Sequence, residues 1–270
     1  MPKTTTPGKS KTARSNAPAQ TAVTSGYLLT CGDGKVFTFG SCAFAGDASD
    51  SLLGQPIVAA AVIPGGYFLC GGDGSVLTFG SARFFGAATG ASLDHPVVAM
   101  AAAPDGKGYW LAGGDGALYC FGSAEDFGSA RSYPLEHPVV GFSITPTGEG
   151  YFFVTADGTV YDFGDARYDG CLRDEPLPAP VVAIATAGSP DGYWLACADG
   201  TVRPFGTAQD IGSATDASAR IIGIAATSSG KGYVLAGADG SVRGLGDATI
   251  SGDATSGVRV TPVVAVACLG

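Results

Sequence analysis

The sequence predicts an all-β protein, a six-bladed β-propeller built from four-stranded blades of about 42 residues. Three observations support this fold class. A Gly-Tyr pair recurs six times at spacings of 40 or 42 residues, an Asp-Gly pair begins seven residues after each of these glycines, and no long window has the apolar period of a helix. The Gly-Tyr glycines are Gly26, Gly66, Gly108, Gly150, Gly192 and Gly232.

The third repeat illustrates the elements in chain order. The run PVVAMAAA (96–103) predicts the innermost strand, because small Val and Ala side chains suit the crowded axis of a propeller. GYWLAGG (108–114) predicts the second strand and ALYCFG (117–122) the third, joined by an Asp-Gly hairpin in which glycine accepts positive φ. A short segment ending at Gly128 predicts a fourth strand, and a return loop leads to the next PVV run.

The two ends of the repeat array complement each other. The first Gly-Tyr pair, at Gly26, has no PVV strand before it, and the last PVV strand, within 262–270, has no Gly-Tyr pair after it. This split predicts that 262–270 supplies the inner strand of the first blade. Residues 26–270 would then form a single six-bladed propeller without open sheet ends around the ring.

Residues 1–25 differ from the remainder in composition and charge. They are polar, interrupted by prolines, and carry a charge of +4 with no acidic residue, whereas 26–270 carries −13 within a chain total of −9. The basic residues are Lys3, Lys9, Lys11 and Arg14. We interpret this segment as a flexible basic arm that anchors the chain to an acidic protein partner in an assembly; a disordered solubilising leader is the alternative. The basic residues are spread out, which argues against a nucleic-acid-binding arm.

The location of the protein is only partly indicated by its sequence. The N-terminus lacks the apolar run of a secretory signal, and no run approaches the roughly 20 apolar residues that span a bilayer, so we expect no membrane insertion. The seven cysteines are odd in number and form no CxxC motif. They predict free thiols and synthesis and folding in the cytoplasm, with a virion as one final location.

The recurring pattern GYW-L-A-x-x-DG-x-V-x-x-FG-x-A-x-x-x-G, followed by PVV-type strands, resembles a repeat of actinobacterial surface and secreted proteins and of their phages. The resemblance covers 26–270. It implies a propeller, often attached to a catalytic or anchoring domain. It does not imply an activity, because the pattern consists of framework residues.

No motif in the sequence indicates catalysis, a cofactor or a metal site. His95 and His137 each precede a Pro-Val-Val run and share one repeat position, where other repeats carry unrelated residues. Trp110 and Trp194 alternate with Leu, Phe and Val at their position, which predicts blade packing; sugar stacking is the alternative. We therefore expect neither an enzyme nor a bound cofactor. An enzyme with a site in the central channel is disfavoured, because Val and Ala inner strands supply no carboxylates there.

The hairpin turns and return loops are expected to lie on one face and to form a recognition surface, since these loops vary most between repeats. The candidate residues are Asp50, Asp94, His95, Tyr133, Glu136, His137, Arg173, Asp174, Glu175 and Asp216. The acidity of this face disfavours nucleic acid and anionic membranes. The sequence thus predicts a non-catalytic structural or recognition propeller attached through its arm, for example a phage decoration or tail component. A lectin-like binder of cell-surface glycans is the alternative.

Overall fold

The computed structural model of the protein describes residues 26–90, 93–257, 259 and 261–269. Within them the chain is all-β, with eighteen strands in six three-stranded antiparallel sheets and one turn of 3₁₀-helix at Ala130–Ser132. The predicted basic arm, 1–25, lies outside the described residues.

Each sheet is assembled around one Gly-Tyr strand. Sheet 1 contains β1 (Gly26–Cys31), β2 (Val36–Gly40) and the C-terminal β18 (Val263–Cys268), in the order β18-β1-β2. Sheets 2 to 6 each contain three consecutive strands, with bounds β3 (Ile57–Ile63), β4 (Gly66–Gly71), β5 (Val76–Gly80), β6 (Val97–Ala102), β7 (Gly108–Gly113), β8 (Leu118–Gly122), β9 (Val139–Ile144), β10 (Gly150–Thr155), β11 (Val160–Gly164), β12 (Val181–Thr186), β13 (Gly192–Cys197), β14 (Val202–Gly206), β15 (Ile221–Ala226), β16 (Gly232–Gly237) and β17 (Val242–Gly246).

The middle strands form the core of the protein. All six residues of every Gly-Tyr strand are buried, because these strands have a neighbour on both sides and a neighbouring sheet against each face. The outer strands β2, β5, β8, β11, β14 and β17 are only partly buried and form the outer edge of each sheet. We call these outer strands, with the segment that follows each of them, the outer wall.

The inner strands form a cycle. β3 contacts β6, and the same contact continues through β9, β12 and β15 to β18, which contacts β3. β18 also pairs antiparallel with β1, with Tyr27 opposite Cys268, so the predicted pairing of the C-terminal strand with the first Gly-Tyr strand is confirmed. Three residues from each of the six inner strands line one cavity of about 110 Å³. The arrangement of the sheets is therefore propeller-like.

The predicted fourth strand differs from the structure. After each third strand, the chain continues as an irregular segment that ends at a glycine with positive φ, for example Gly46 at 118° and Gly252 at 149°. Around each such glycine, backbone groups bond to a tyrosine of the next sheet; the N–H of Ala45, for example, donates to the Tyr67 hydroxyl. Because these groups are used between sheets, the segment does not extend the ladder of its own sheet.

The same tyrosines connect every sheet to the one before it. The hydroxyl of each Gly-Tyr tyrosine donates to a glycine carbonyl of the preceding repeat. The pairs are Tyr27–Gly252, Tyr67–Gly46, Tyr109–Gly86, Tyr151–Gly128, Tyr193–Gly170 and Tyr233–Gly212. At five of the six junctions a phenylalanine ring of the following third strand packs on the same glycine, and Leu245 takes this place at Gly212; a Cβ at Gly252 would lie 2.9 Å from the Phe39 ring. These contacts explain why Gly, Tyr and Phe recur in the repeat.

Trp110 and Trp194 are core residues, each about 1% exposed. Their indole N–H groups donate to the backbone carbonyls of Glu125 and Gln209, at 2.7 and 2.9 Å. This burial confirms the packing interpretation and removes both side chains from the surface available for sugar stacking.

Candidate functional site: the loop face

One end of the protein is formed by the Asp-Gly turns together with the return loops. In repeat 2, the N–H of Ala88, in the return loop, donates to the Gly74 carbonyl in the Asp-Gly turn at 3.0 Å. The N–H of Val97, where the next inner strand begins, donates to the Gly72 carbonyl at 3.0 Å. Equivalent bonds recur around the cycle, so turns and return loops share one end, as predicted. We call this end the loop face, and the other end the opposite face.

The aspartates of the Asp-Gly turns form the turns themselves. In each turn, the aspartate Oδ1 accepts the backbone N–H of the residue two positions later. These aspartates are Asp33, Asp73, Asp115, Asp157, Asp199 and Asp239. The following glycine has positive φ, and no other residue type in the described chain does. The Asp-Gly pairs are therefore accounted for by hairpin geometry.

Hydroxyl groups hold some of these carboxylates in the ionised form. At Asp157, burial would raise the pKa, but hydrogen bonds donated by Thr155 and Thr159 outweigh it and leave the pKa below its usual value. At Asp239, the hydrogen bond from the Ser241 hydroxyl lowers the pKa of the carboxyl. The loop face is accordingly anionic at neutral pH.

All ten residues predicted for the recognition surface are exposed. Their side chains lie on the return loops of five repeats, and each loop is presented at the loop face. This contrasts with the recurring Gly-Tyr strands, which are buried. Framework and variable residues are thus separated in space as well as in sequence.

A concavity of this surface lies between the turn of sheet 2 and the return loop that follows that sheet. It is an open cavity of about 510 Å³. Its lining consists of Gln55, Gly72, Asp73, Thr89, Gly90, Leu93, Asp94, His95 and Pro96. The cavity includes two of the predicted residues, Asp94 and His95. It adds Asp73, Gln55 and Thr89, which the sequence analysis did not select because the turn and loop positions are distant along the chain.

Two ion pairs connect consecutive return loops. Arg131 contacts the Asp94 carboxylate and lies 3.7 Å from that of Asp115, while Arg173 contacts Glu136 at 2.8 Å. The acids and the arginines are each 42 positions apart, so the same pair is repeated in successive repeats. Arg131 was missed by sequence reasoning, although its spacing from Arg173 was a usable signal. Exposed pairs of this kind contribute little stability, and their main consequence is a fixed charge pattern.

Tyr133 provides an aromatic surface beside these pairs. Its side chain is half exposed, and its ring lies 5.2 Å from the ring of Tyr161, measured between centroids. The neighbouring Glu136–Arg173 pair raises the pKa of the Arg173 guanidinium and keeps it charged. This part of the loop face therefore combines an aromatic ring with both signs of charge.

The remaining predicted residues are not gathered into a common site. Asp50, Asp174, Glu175 and Asp216 are exposed, and none of them takes part in a salt bridge within the described residues. His137 lies beside Asp157, whose pKa it helps to lower. The structure thus concentrates the predicted surface over sheets 2 to 4.

The described part of the chain has neither a cluster of metal ligands nor an acidic cavity between the inner strands. No group of three or more His, Cys, Asp or Glu side chains there could hold a metal ion. The cavity lined by the inner strands contains no carboxylate among its lining residues, which are chiefly Val, Ala and Ile. No helix of the described residues is long and apolar enough to cross a membrane.

Comparison with known proteins did not supply a function. A scan against protein-family models found none that matches this chain, and a search of curated proteins found no matching relative. The interpretation of the loop face therefore depends on its own residues.

Proposed function

We propose that this chain is a six-bladed propeller, closed by its C-terminal strand, that acts as a non-catalytic recognition module and is attached to a larger assembly through its N-terminal arm. The observation that carries the proposal is the separation of roles among the residues. Framework residues are buried between the sheets, whereas the variable, charged residues are exposed on the loop face around an open cavity. This is the arrangement of a rigid scaffold that presents recognition loops.

The chemistry of the loop face favours a protein partner with basic and amide groups. Asp73 and Asp94 supply carboxylates to the cavity, His95 and Gln55 supply groups that hydrogen-bond, and Leu93 supplies apolar contact. An acidic surface repels phosphate backbones and anionic lipid, so neither nucleic acid nor a membrane is the proposed ligand.

The arm supports attachment through its charge. It carries +4, through Lys3, Lys9, Lys11 and Arg14, on a chain whose remainder carries −13. Exposed charges are screened over about 10 Å at 0.1 M salt, so docking of the arm on its own propeller without apolar contacts is expected to be weak. An acidic partner that also pairs with the extended backbone would bind it more strongly. A virion, with the chain as a decoration or tail component, is one setting that we propose for such an assembly.

The attachment is tested by deleting residues 1–25. The native protein should co-purify with at least one different protein chain, and the truncated chain should keep its thermal midpoint but no longer co-purify with that chain. In the free full-length chain, limited trypsin cleavage should begin at Lys9, Lys11 or Arg14. Continued co-purification of the truncated chain, or an arm that resists trypsin in the dilute free protein, would contradict attachment through the arm.

A glycan is the second candidate ligand. It is favoured by the open polar cavity with its carboxylate and amide groups, and by the exposed ring of Tyr133. A glycan array probed with the full chain separates the two candidates. If a sugar binds in the cavity, Asp73→Ala and His95→Ala should abolish the signal, whereas Asp216→Ala, on the loop face but outside the cavity, should not. An array without signal would rule out the sugars displayed and favour a protein partner.

A further inference from the structure

The outer wall is divided into two halves of different chemistry. On sheets 6, 1 and 2 it consists of β17, β2 and β5 and the segments 247–252, 41–46 and 81–86, and this half contains one acidic residue, Asp247. The corresponding strands and segments of sheets 3, 4 and 5 carry six acids, of which all but Asp165 are exposed: Glu125, Asp126, Asp162, Asp165, Asp169 and Asp210. We call the first half the apolar wall and the second the acidic wall.

Large hydrophobic side chains are exposed on the apolar wall. Phe44 and Phe84 are each 60% exposed and Ile250 is 39% exposed. All three occupy one repeat position, two residues before the glycine that accepts the tyrosine hydroxyl. Sheets 3 and 5 carry Asp126 and Asp210 at that position, both exposed, and sheet 4 carries Tyr168, which is 50% exposed. The fold therefore does not require an apolar residue there, and packing within the chain does not explain the two phenylalanines.

The three sheets of the apolar wall are adjacent. β18 of sheet 1 contacts β15 of sheet 6 and β3 of sheet 2, so Ile250, Phe44 and Phe84 lie on consecutive sheets. Three large apolar side chains are thus exposed on neighbouring sheets, where a partner that covers this half of the wall would bury them together.

We propose that the apolar wall pairs with the same wall of a second copy of this chain. An isologous two-fold contact buries one apolar surface against itself. Residues 26–270 carry −13, so two copies approach with least repulsion through the half of the wall that has a single carboxylate. The charged residues of the apolar wall are Arg83, Arg243 and Asp247. This interface is separate from the loop face and does not depend on the proposed recognition function.

The position of the arm adds charge complementarity to this contact. Residues 1–25 join the fold at Gly26, in the central sheet of the apolar wall. In a dimer through this wall, each +4 arm begins beside the −13 propeller of the other copy.

The test is the oligomeric state of the full chain under reducing conditions, measured by sedimentation velocity between about 1 and 100 µM, where modest interfaces dissociate. We expect a concentration-dependent dimer. The double variant Phe44→Asp/Phe84→Asp introduces the residue that sheets 3 and 5 already carry, so it should keep the wild-type melting temperature. Its dimer dissociation constant should rise about 100-fold, since each aromatic anchor contributes about tenfold or more.

Two further variants keep the test decisive. Tyr168→Asp places the same charge at the same repeat position on the acidic wall and should dimerise like the wild type. Phe44→Thr/Phe84→Thr removes the rings without adding charge and should weaken the dimer at least about tenfold. A wild-type chain that stays monomeric over the whole range, or a dimer that is unaffected by both double variants, would overturn the proposal. Dimerisation lost equally in Tyr168→Asp would also overturn it.

Discussion

The Tyr27 hydroxyl donates a 2.5 Å hydrogen bond to the carbonyl oxygen of Gly252, 225 positions later in the chain. The same contact joins neighbouring repeats, as between Tyr151 and Gly128 at 2.7 Å. The junction between the last sheet and the first is thus made by the same residue types, at equivalent repeat positions, as the junctions between the other sheets. This equivalence can be tested at the level of single hydroxyl groups.

Removing the hydroxyl should cost similar stability at both junctions. Tyr27→Phe and Tyr151→Phe each leave a glycine carbonyl and a nearby backbone N–H without their partner, which should lower the free energy of unfolding by about 1–2 kcal/mol. Urea unfolding of the two variants measures this. A Tyr27→Phe protein as stable as the wild type, beside a destabilised Tyr151→Phe protein, would mean that the first and last sheets are not held together by this contact.

A second prediction concerns a carboxylate and a hydroxyl that exchange places between repeats on the opposite face. In repeat 4, the Asp165 carboxylate accepts from Thr147 at 2.7 Å, whereas in repeat 3, at the equivalent positions, Asp105 accepts from Ser123 at 2.8 Å. Thr147→Asp alone should destabilise, because it places two carboxylates together. Asp165→Ser alone removes the carboxylate that accepts from both Thr147 and Thr145, which should cost about 0.5–1.5 kcal/mol.

The double variant Thr147→Asp/Asp165→Ser should recover most of the wild-type stability, since it recreates the pair of repeat 3. Urea unfolding of the four proteins forms a double-mutant cycle. Additive losses in the double variant would show that the two side chains do not interact.

The third prediction is a loss of stability in acid. Side-chain hydroxyls lower the pKa of several carboxyls, among them Asp239 with Ser241, Asp247 with Ser229, and Asp253 with Thr255. A carboxyl whose pKa is lower in the folded state stabilises the fold when the pH lies above its pKa in the unfolded chain, which is near 4. This contribution disappears as the pH falls through the lower pKa of the folded state. Thermal midpoints should therefore be flat from about pH 5 to 7 and fall below about pH 4.

Thr255→Ala provides the control for this effect. It removes the hydroxyl that donates to Asp253, so its midpoint should lie below that of the wild type at neutral pH. The difference in midpoint between the two proteins should shrink as the pH falls through the pKa of Asp253 in the folded state, because Asp253 is then protonated in both proteins. A difference that stays constant with pH would assign the effect to packing of the threonine.

The fourth prediction concerns the thiols. All seven cysteines are free in the structure, as the odd number and scattered positions predicted. Burial raises the pKa of Cys31 and Cys197 to about 11 and that of Cys70 to about 12, so little thiolate forms at neutral pH. Alkylation of the native protein should be slow at these three positions, and alkylation in denaturant without reductant should add seven labels. A reproducible absence of two labels would reveal a disulfide.

Much of the fold follows from local signals in the sequence. The Asp-Gly turn is fixed by glycine's positive φ and by an aspartate that bonds two residues ahead, so each turn is set by a few neighbouring residues. The pairing of β18 with β1 followed from the split repeat, because an unpaired PVV run and an unpaired Gly-Tyr run remained at the two ends. Periodicity and turn chemistry were sufficient for these features.

Contacts between repeats were not predicted. The Tyr67–Gly46 bond joins positions 21 apart in two different sheets, and nothing near either residue indicates the partner. The Gly46 carbonyl and the Ala45 N–H both bond to the Tyr67 hydroxyl, so these backbone groups are not available to pair a fourth strand with its own sheet. The pairing of Arg131 with Asp94 likewise depends on how adjacent return loops lie next to each other. Such side-chain geometry follows from the packing of sheets, which the repeat pattern does not specify.

Hydrogen exchange of β1 tests the central claim, a closed ring of six blades, most directly. Its strand Gly26–Cys31 is paired on one side only by the C-terminal strand, whereas Gly108–Gly113 lies within a sheet formed by one continuous stretch. The account predicts that the amides of both strands exchange equally slowly, within about tenfold, through global unfolding. Exchange of the Gly26–Cys31 amides at least about 1,000-fold faster than that of the Gly108–Gly113 amides would show that the first sheet opens independently, and would contradict the closed ring.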